Sequence, residues 1–433
     1  MNKRRILVPA LLAAGRLLHA QTSGPPLSLQ EAEAMAVKNH PRVLASQANY
    51  LRADQIITET RSAYYPALNG DVTGSQATDN SRIGAGFLSS SRLFNRLGYG
   101  ITLSQLITDS GRTPNLVATS KLQAEASRQD YQATQHDIIT AVEQAYSETL
   151  LSQQLVKLAE QTVATRQAVV DQVSELMRNK LKSQLDVSFA EVSLSDAKLM
   201  LLRAQARLGS AYANLGQALG IQQSIRFQLT DEPMPPNPPK DPEGLIAQAL
   251  ENRPELKSLR LQREADRKYV RAEADLKLPT VSLTGVAGFL PLIDPENANP
   301  AISPEYEGAA VNVQIPIFNG HLFSARRRAA EYQLQAADER VRDLKDRVAR
   351  DVRTAWESAR TAYEAIGATA LLLQQANLAL DLAQGRYNLG LAAIVELTQA
   401  QLAQTQAQVE NLNAKYEYQE AYAGLQYTLG SLH

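Results

Sequence analysis

Two periodicities alternate along this chain. The first is a narrow stripe with steps of three and four. After Phe318-Asn319-Gly320 no proline occurs, and apolar or small residues recur at Val341, Leu344, Val348, Val352, Ala355, Ala359, Ala362, Ile366, Ala370, Leu373, Ala376, Leu380 and Ala383. That spacing is one face of a helix. The span 319–388, roughly 70 residues, would be about 105 Å long at 1.5 Å per residue. A counterpart runs from about Ser110 to Arg178, proline-free after Pro114. Helices this long and this rich in Ala and Gln must pack sideways along their length. Taken alone, they fit a coiled-coil rod.

The second periodicity is two. In Ala67–Ala77, Leu68, Gly70, Val72 and Gly74 alternate with Asn69, Asp71, Thr73 and Ser75. In Leu97–Ile107, Leu97, Tyr99, Ile101 and Leu103 alternate with Gly98, Gly100, Thr102 and Ser104. Thr280–Leu290 and Ala309–Pro316 repeat the pattern, with Val281, Leu283 and Phe289, then Val311, Val313 and Ile315, on the apolar side. These are strands, most of them close to the 9–11 residues that cross a bilayer when tilted. A soluble antiparallel sheet packed on helices is the alternative, since alternation alone does not report lipid. Four strands cannot close a barrel with a lumen, and lipid does not tolerate open edges. If the strands span, several chains must share one barrel. The stretches between paired strands, Thr78–Arg96 and Pro291–Glu307, are rich in Ser, Asn, Gly and Pro, as external loops are.

The chain is also a duplicate. Asn39, Pro41 and Pro66 recur as Asn252, Pro254 and Pro279, a shift of 213. Val142, Ala145 and Tyr146 correspond to Val352, Ala355 and Trp356, and AYANLGQALG (Ala211–Gly220) to AYAGLQYTLG (Ala421–Gly430), a shift of 210. The change of shift falls between Pro66 and Leu106. Each half reads helix, strand, strand, long helix, helix. The opening helices are expected at Ser28–Asn39 and Pro41–Tyr65, then Pro242–Asn252 and Pro254–Lys277. The domain reading is an export signal at 1–20, a first repeat at 21–220, a proline-rich linker at 221–241 and a second repeat at 242–430.

The signal rests on Lys3, Arg4 and Arg5, the apolar run Ile6–Ala14 and a small residue, Ala20, before the cut. No run of 18 apolar residues follows, so no spanning helix is expected. Charge excludes one class of partner. With 44 basic and 45 acidic residues the chain lacks the footprint of a nucleic-acid binder. It has no cysteine and five scattered histidines, and shows no GxSxG, P-loop or HExxH. Neither an enzyme nor a bound metal or cofactor is expected.

The duplicated NHP/NRP and YYP/LP marks, PIFNG before the second long helix, RYNLGLAAIVELTQAQ at its far end and the terminal YEYQEAYAGLQYTLG resemble the outer-membrane efflux family of TolC-like channels, over about Leu27–Gly430. The resemblance implies an α+β membrane protein, mostly α. It implies a homotrimer with a 12-stranded outer-membrane β-barrel continued by a 12-helix periplasmic α-barrel. Pro66, Pro279 and Pro316 would sit at barrel–helix junctions, with Ser110 and Asn319 capping the long helices. The linker would pack around the mid-height belt. The implied function is a passive exit duct in a tripartite efflux pump or type I secretion system, in contact with outer-membrane lipid. Its partners would be a periplasmic adaptor (membrane fusion) protein and an inner-membrane pump of RND, ABC or MFS type. The competing reading is a structural coiled-coil protein of the envelope with no channel.

The resemblance also places a gate where the long helices turn back, at Met177–Val187 and Arg386–Leu397. Asp186 and Tyr387 fall on the positions of a polar link between hairpins, while the basic member of that link falls on Ala392. Lys180 stands where the second turn has Gly390. Glu396 and Gln399 fall on the acidic rings of the family's constriction, leaving one charged ring, where three Glu396 carboxylates would attract cations. Lys180, Lys182 and Ser183 on the first tip, and Arg386, Gly390, Leu391, Ala392 and Ala393 on the second, are the expected adaptor contacts. The plainer alternative for Asp186 and Glu396 is capping of a returning helix. For Tyr387 it is packing on Leu391.

Overall fold

The computed structural model describes residues 25–75, 96–221, 226–290 and 304–431. The export signal read at 1–20 lies outside the described residues, as does nearly all of the two inter-strand stretches.

The first repeat comprises β1 (Pro26–Leu27), α1 (Leu29–Asn39), α2 (Pro41–Arg61), β2 (Ala67–Ser75), β3 (Arg96–Thr108), α3 (Arg112–Arg178) and α4 (Gln184–Ala218). The second comprises β4 (Gln228–Leu229), α5 (Glu243–Asn252), α6 (Pro254–Asp275), β5 (Thr280–Phe289), β6 (Glu305–Gln314), α7 (Leu322–Asn388) and α8 (Ile394–Leu429). A single 3₁₀ turn, Ser62–Tyr64, closes α2. Pro41 and Pro254 occupy first-turn positions, where the missing N–H costs nothing. α3 and α7 have 67 residues each and are offset by 210 at both ends. No helix among the described residues is long and apolar enough to cross a membrane.

The four long strands form one antiparallel sheet in the order β2-β3-β5-β6. Pairing Ala67 with Ser104 and Thr280 with Gln314 places the first strand of each hairpin at a shift of 213 and the second at 210. The change of shift therefore lies in the connection between paired strands. Register puts Leu68, Leu103, Gly285 and Ala309 in one row and Val72, Tyr99 and Phe289 in another, all on one face. Asn69, Asp71, Thr102, Ser104, Ser282, Thr284, Asn312 and Gln314 line the other. Within the chain the apolar face has no cover: Leu68, Val72, Tyr99, Ile101, Val311 and Val313 are all exposed. The last strand departs from its expected place. It runs Glu305–Gln314 rather than 309–316, because Pro316 lacks the N–H a ladder needs and Ile315–Phe318 lead irregularly into α7.

The expected caps of the long helices are also corrected. α3 begins after Gly111 and α7 after His321, both left-handed and without a side-chain cap bond. The Asp109 carboxylate instead accepts the Thr113 N–H (2.7 Å), and the Ser110 hydroxyl donates across the junction to the Pro279 carbonyl (2.6 Å).

Most helices of the chain lie along α3. α2 and α4 flank it from its own repeat, α6 and α8 from the other, while α7 is flanked by α6 and α8. Of its stripe, Val341, Val348, Val352, Ala359, Ala362, Ala376 and Ala383 are buried, while Ala370 is exposed. The linker is not a bare spacer. β4 pairs in parallel with β1, a two-residue clip that proline content hides. The Tyr146 hydroxyl lies 2.8 Å from the carbonyls of Leu27 and Thr230 and accepts the Thr230 N–H at 3.0 Å. The Trp356 indole donates to the Pro239 carbonyl (2.7 Å), and the Tyr418 hydroxyl to that of Pro236. Aromatic hydroxyl and indole groups thus satisfy linker carbonyls that prolines leave without ladder partners.

Candidate functional site

Both long helices end in the same motif. In the first turn the Leu181 N–H donates to Leu176 O (2.9 Å) and the Lys180 N–H to Met177 O (2.9 Å). In the second, Leu391 N–H donates to Arg386 O (2.8 Å) and Gly390 N–H to Tyr387 O (3.0 Å). This is the Schellman pattern, which needs a left-handed residue after the helix. Gly390 supplies it at φ 72°; Lys180 adopts the same conformation at φ 59°. The turn keeps its shape despite the side chain, at a cost of roughly 1 kcal/mol.

The two tips meet around Tyr387. Its ring is 2% exposed and packs with Val173, Val187, Ile394 and Leu397, not with Leu391, which is exposed. Lys182, from the first turn, sets its ammonium 4.0 Å from the Tyr387 ring centroid. The expected bond between Asp186 and Tyr387 is not made. Asp186 belongs to a capping box: its carboxylate accepts from the Ser183 N–H (2.9 Å) and hydroxyl (2.7 Å), and its own N–H donates to the Ser183 hydroxyl (3.2 Å). The Tyr387 hydroxyl is buried without a partner. Burial pushes its pKa up, and the nearby Asp186 charge adds to the shift.

Glu396 is not a free carboxylate either. The Arg386 Nε lies 3.0 Å from its Oε1, a pair within the second tip with both side chains exposed. Exposed pairs are worth about 0–1 kcal/mol, so the pair lowers the local charge more than it fixes geometry. Gln399 is exposed one turn further along α8, and Ala392 and Ala393 make no side-chain polar contact that replaces the missing basic group.

Three features were not anticipated from the sequence: a buried arginine, a pairing of two expected site residues and a cluster of carboxylates. Arg166 is 6% exposed and donates to the Gln401 carbonyl (2.8 Å) and the Thr405 hydroxyl (3.1 Å), from α3 to α8. Its signal in the sequence is an arginine on the stripe Leu155, Ala159, Thr162, Arg166, Val170, Val173, where every other member is apolar or small. Arg386–Glu396 is an i, i+10 pair that only a tight turn brings together. Around the belt, Glu33 of α1, Glu143 of α3 and Glu232 of the linker line one cleft of about 340 Å³. The Glu143 carboxyl is pushed up to about 7, by burial first and by the Glu33 charge second, and its Oε2 is buried without a partner. Glu33 is raised as well, by burial and then by Glu232. No linear motif announces this cluster, since its members come from three separate segments.

The sequence profile of the outer membrane efflux protein family matches residues 34–221 and 245–431. The chain is 26% identical over 421 residues to the outer membrane efflux protein BepC of Brucella suis biovar 1 (strain 1330), covering 96% of this chain and 87% of that protein. Among solved structures it resembles a membrane protein from Pseudomonas aeruginosa, at a TM-score of 0.79 and 20% identity over 93% of both chains. It resembles CusC at the same TM-score and 18% identity, over 99% of this chain and 98% of that one.

Proposed function

The chain belongs to the outer membrane efflux protein family, and from that premise we propose that its two helical tips form the gate of a passive exit duct and dock a periplasmic adaptor. The duct is an outer-membrane channel of three copies with a long periplasmic helical barrel. One observation carries its architecture. A four-stranded sheet with one apolar face has no partner strand on β2 or β6 among the described residues, and it continues into helices of 67 residues. Hydrocarbon offers no hydrogen bonds to the open edges, so β6 of each copy pairs with β2 of the next until twelve strands close. The polar face then surrounds water and Leu68, Val72, Tyr99 and Val311 face lipid.

A duct needs no chemistry of its own, only a lumen and a closable end. Cluster packing around Tyr387 and the Lys182 ammonium over its ring are what hold the two tips together in each chain, while the Arg386–Glu396 pair lies within the second tip. They support the gate reading with a different latch from the expected one. Lys182 supplies the basic group that Ala392 lacks, and Asp186 serves the turn. Gln399, one turn above Glu396, contributes hydrogen bonds without charge to the constriction. Lys180, Lys182, Leu391 and the neighbouring tip residues are the surface an adaptor hairpin would grip, and an RND, ABC or MFS pump would supply the energy.

Reconstitution in planar bilayers tests this reading. The wild-type trimer is expected to conduct weakly, and Lys182→Ala with Tyr387→Ala to raise single-channel conductance several-fold. Absence of any conductance in both proteins would favour the structural coiled-coil reading. Equal conductance in both would place the gate elsewhere.

A further inference from the structure

On the polar face of the sheet one row differs from its neighbours. Register aligns Asp71, Gly100, Gly288 and Tyr306 across β2, β3, β5 and β6. Two glycines on adjacent strands thus leave the floor between Asp71 and Tyr306 without side chains. The Tyr306 ring lies down into that gap. A Cβ built on Gly288 would come within 2.5 Å of both Cζ and the hydroxyl oxygen of Tyr306, and one on Gly100 within 2.6 Å of the same oxygen. The phenol leaves β6, crosses β5 and ends over β3. It is 44% exposed, so more than half of it is covered although it stands on the last strand of the sheet.

Strand side chains ordinarily stand roughly perpendicular to the sheet. Glycine inside a strand weakens it, and one reason for its presence is the close approach of another group. Here that group is an aromatic ring, directly opposite Gly288 in the ladder. Gly285, on the apolar face of the same strand, has no such visitor, and a Cβ there would meet Leu103 at an ordinary 3.5 Å. Tyr306 is the second residue of β6, at the end where paired strands are joined and away from the end that feeds α3 and α7. In an outer-membrane barrel that end is the outer mouth, where each copy contributes one such ring.

We propose that Tyr306 and its glycine seat set the bore of the channel at its outer mouth. With the ring laid on the wall, wide cargo passes; a Cβ at Gly288 or Gly100 lifts the ring into the lumen. Tyr306 is then a specificity-determining residue that acts on the cross-section of the cargo rather than on its charge. The proposal rests on the reading that the polar face surrounds water. It is independent of the tips, which lie at the far end of helices of 67 residues.

The chain has no cysteine, so a single introduced one reports cleanly. Asn312 is exposed on the same face of β6, six residues below Tyr306, about 20 Å at 3.4 Å per residue. Maleimide-tagged polyethylene glycols of graded size, too large to cross the outer membrane elsewhere, are added outside intact cells carrying Asn312→Cys trimers. The mass shift of the chain gives the largest polymer that reaches the cysteine. Gly288→Ala is expected to move this cut-off to a smaller polymer, and Tyr306→Ala in the same chain to restore it. Gly285→Ala, whose Cβ faces the other side, is expected to leave it in place. An unchanged cut-off in Gly288→Ala overturns the proposal. So does a reduced cut-off that Tyr306→Ala does not restore, because distortion of the strand rather than the ring would then narrow the mouth. The new Cβ also crowds the Tyr99 carbonyl, at 2.6 Å. If Gly288→Ala fails to assemble for that reason, Tyr306→Trp decides: the larger ring overfills an intact seat and lowers the cut-off, and a wild-type cut-off there overturns the proposal. An assembled Asn312→Cys trimer that no polymer labels, even with Tyr306→Ala, would refute the water-filled lumen itself, and the proposal with it.

Discussion

Replacing Glu143 with Gln should stabilise this protein in a pH-dependent way. Glu143 lies on α3 where the belt crosses it, faces Glu33 and Glu232 across a shared cleft, and buries Oε2 without a donor. Its pKa rises from 4.5 to about 7, chiefly because burial disfavours the charge and then because Glu33 repels it. A folded-state pKa above the unfolded value means that the folded chain holds the proton more tightly. The stabilising contribution of the protonated form is complete below about pH 4.5 and is lost as pH rises through about 7. At about 1.36 kcal/mol for each tenfold in proton affinity, the rise from 4.5 to about 7 sets a ceiling of about 3.4 kcal/mol per chain, and relaxation of the cleft lowers it, so about 1–3 kcal/mol is expected. Glutamine keeps the shape and cannot ionise. Thermal denaturation of the detergent-solubilised trimer between pH 5 and 8, followed by circular dichroism and by the trimer band on gels, should show Glu143→Gln melting higher than wild type at pH 8. The gain should fall to roughly a quarter of that at pH 5. Glu33 remains ionisable in the variant, so a weaker slope with pH should persist. A constant offset across the range, or a gain larger at pH 5 than at pH 8, would refute the reasoning.

Lys180→Gly should stabilise the first tip by about 1 kcal/mol, because it removes a side chain from a left-handed residue exposed to solvent; hydrogen exchange of the Leu181 amide, which donates to Leu176 O, would slow. Gly220→Ala should cost at least about 2 kcal/mol, since a Cβ there would come within 2.9 Å of the His40 Cα while φ stands at +70°, and denaturant titration with an unchanged midpoint would refute it.

The channel architecture was legible because its determinants are linear. A stripe with steps of three and four and no proline specifies a long helix, and alternation specifies a strand, from neighbours alone. The two shifts, 213 and 210, even locate the unequal connection between paired strands. The family's motifs then supply the trimer. Errors of detail fell where one residue's conformation decides: β6 stops before Pro316, and Asp109 rather than Ser110 bonds to the first turn of α3.

The contacts at the tips were not legible, and the reason is physical. Whether Asp186 reaches Tyr387 or turns back to Ser183 depends on a rotamer, and the local capping box, closed within three residues, pays little entropy compared with a bond across hairpins 201 positions apart. Lys182 over Tyr387, Arg386 beside Glu396, Arg166 beneath Gln401 and Thr405, and the three carboxylates of the belt are likewise set by which helix faces meet. Sequence determined the elements, their lengths and their duplication, since each follows from local periodicity. Only the tertiary structure decided which charges are paired, which are buried and which hairpins are tied, because those depend on contacts between segments that the linear pattern leaves independent.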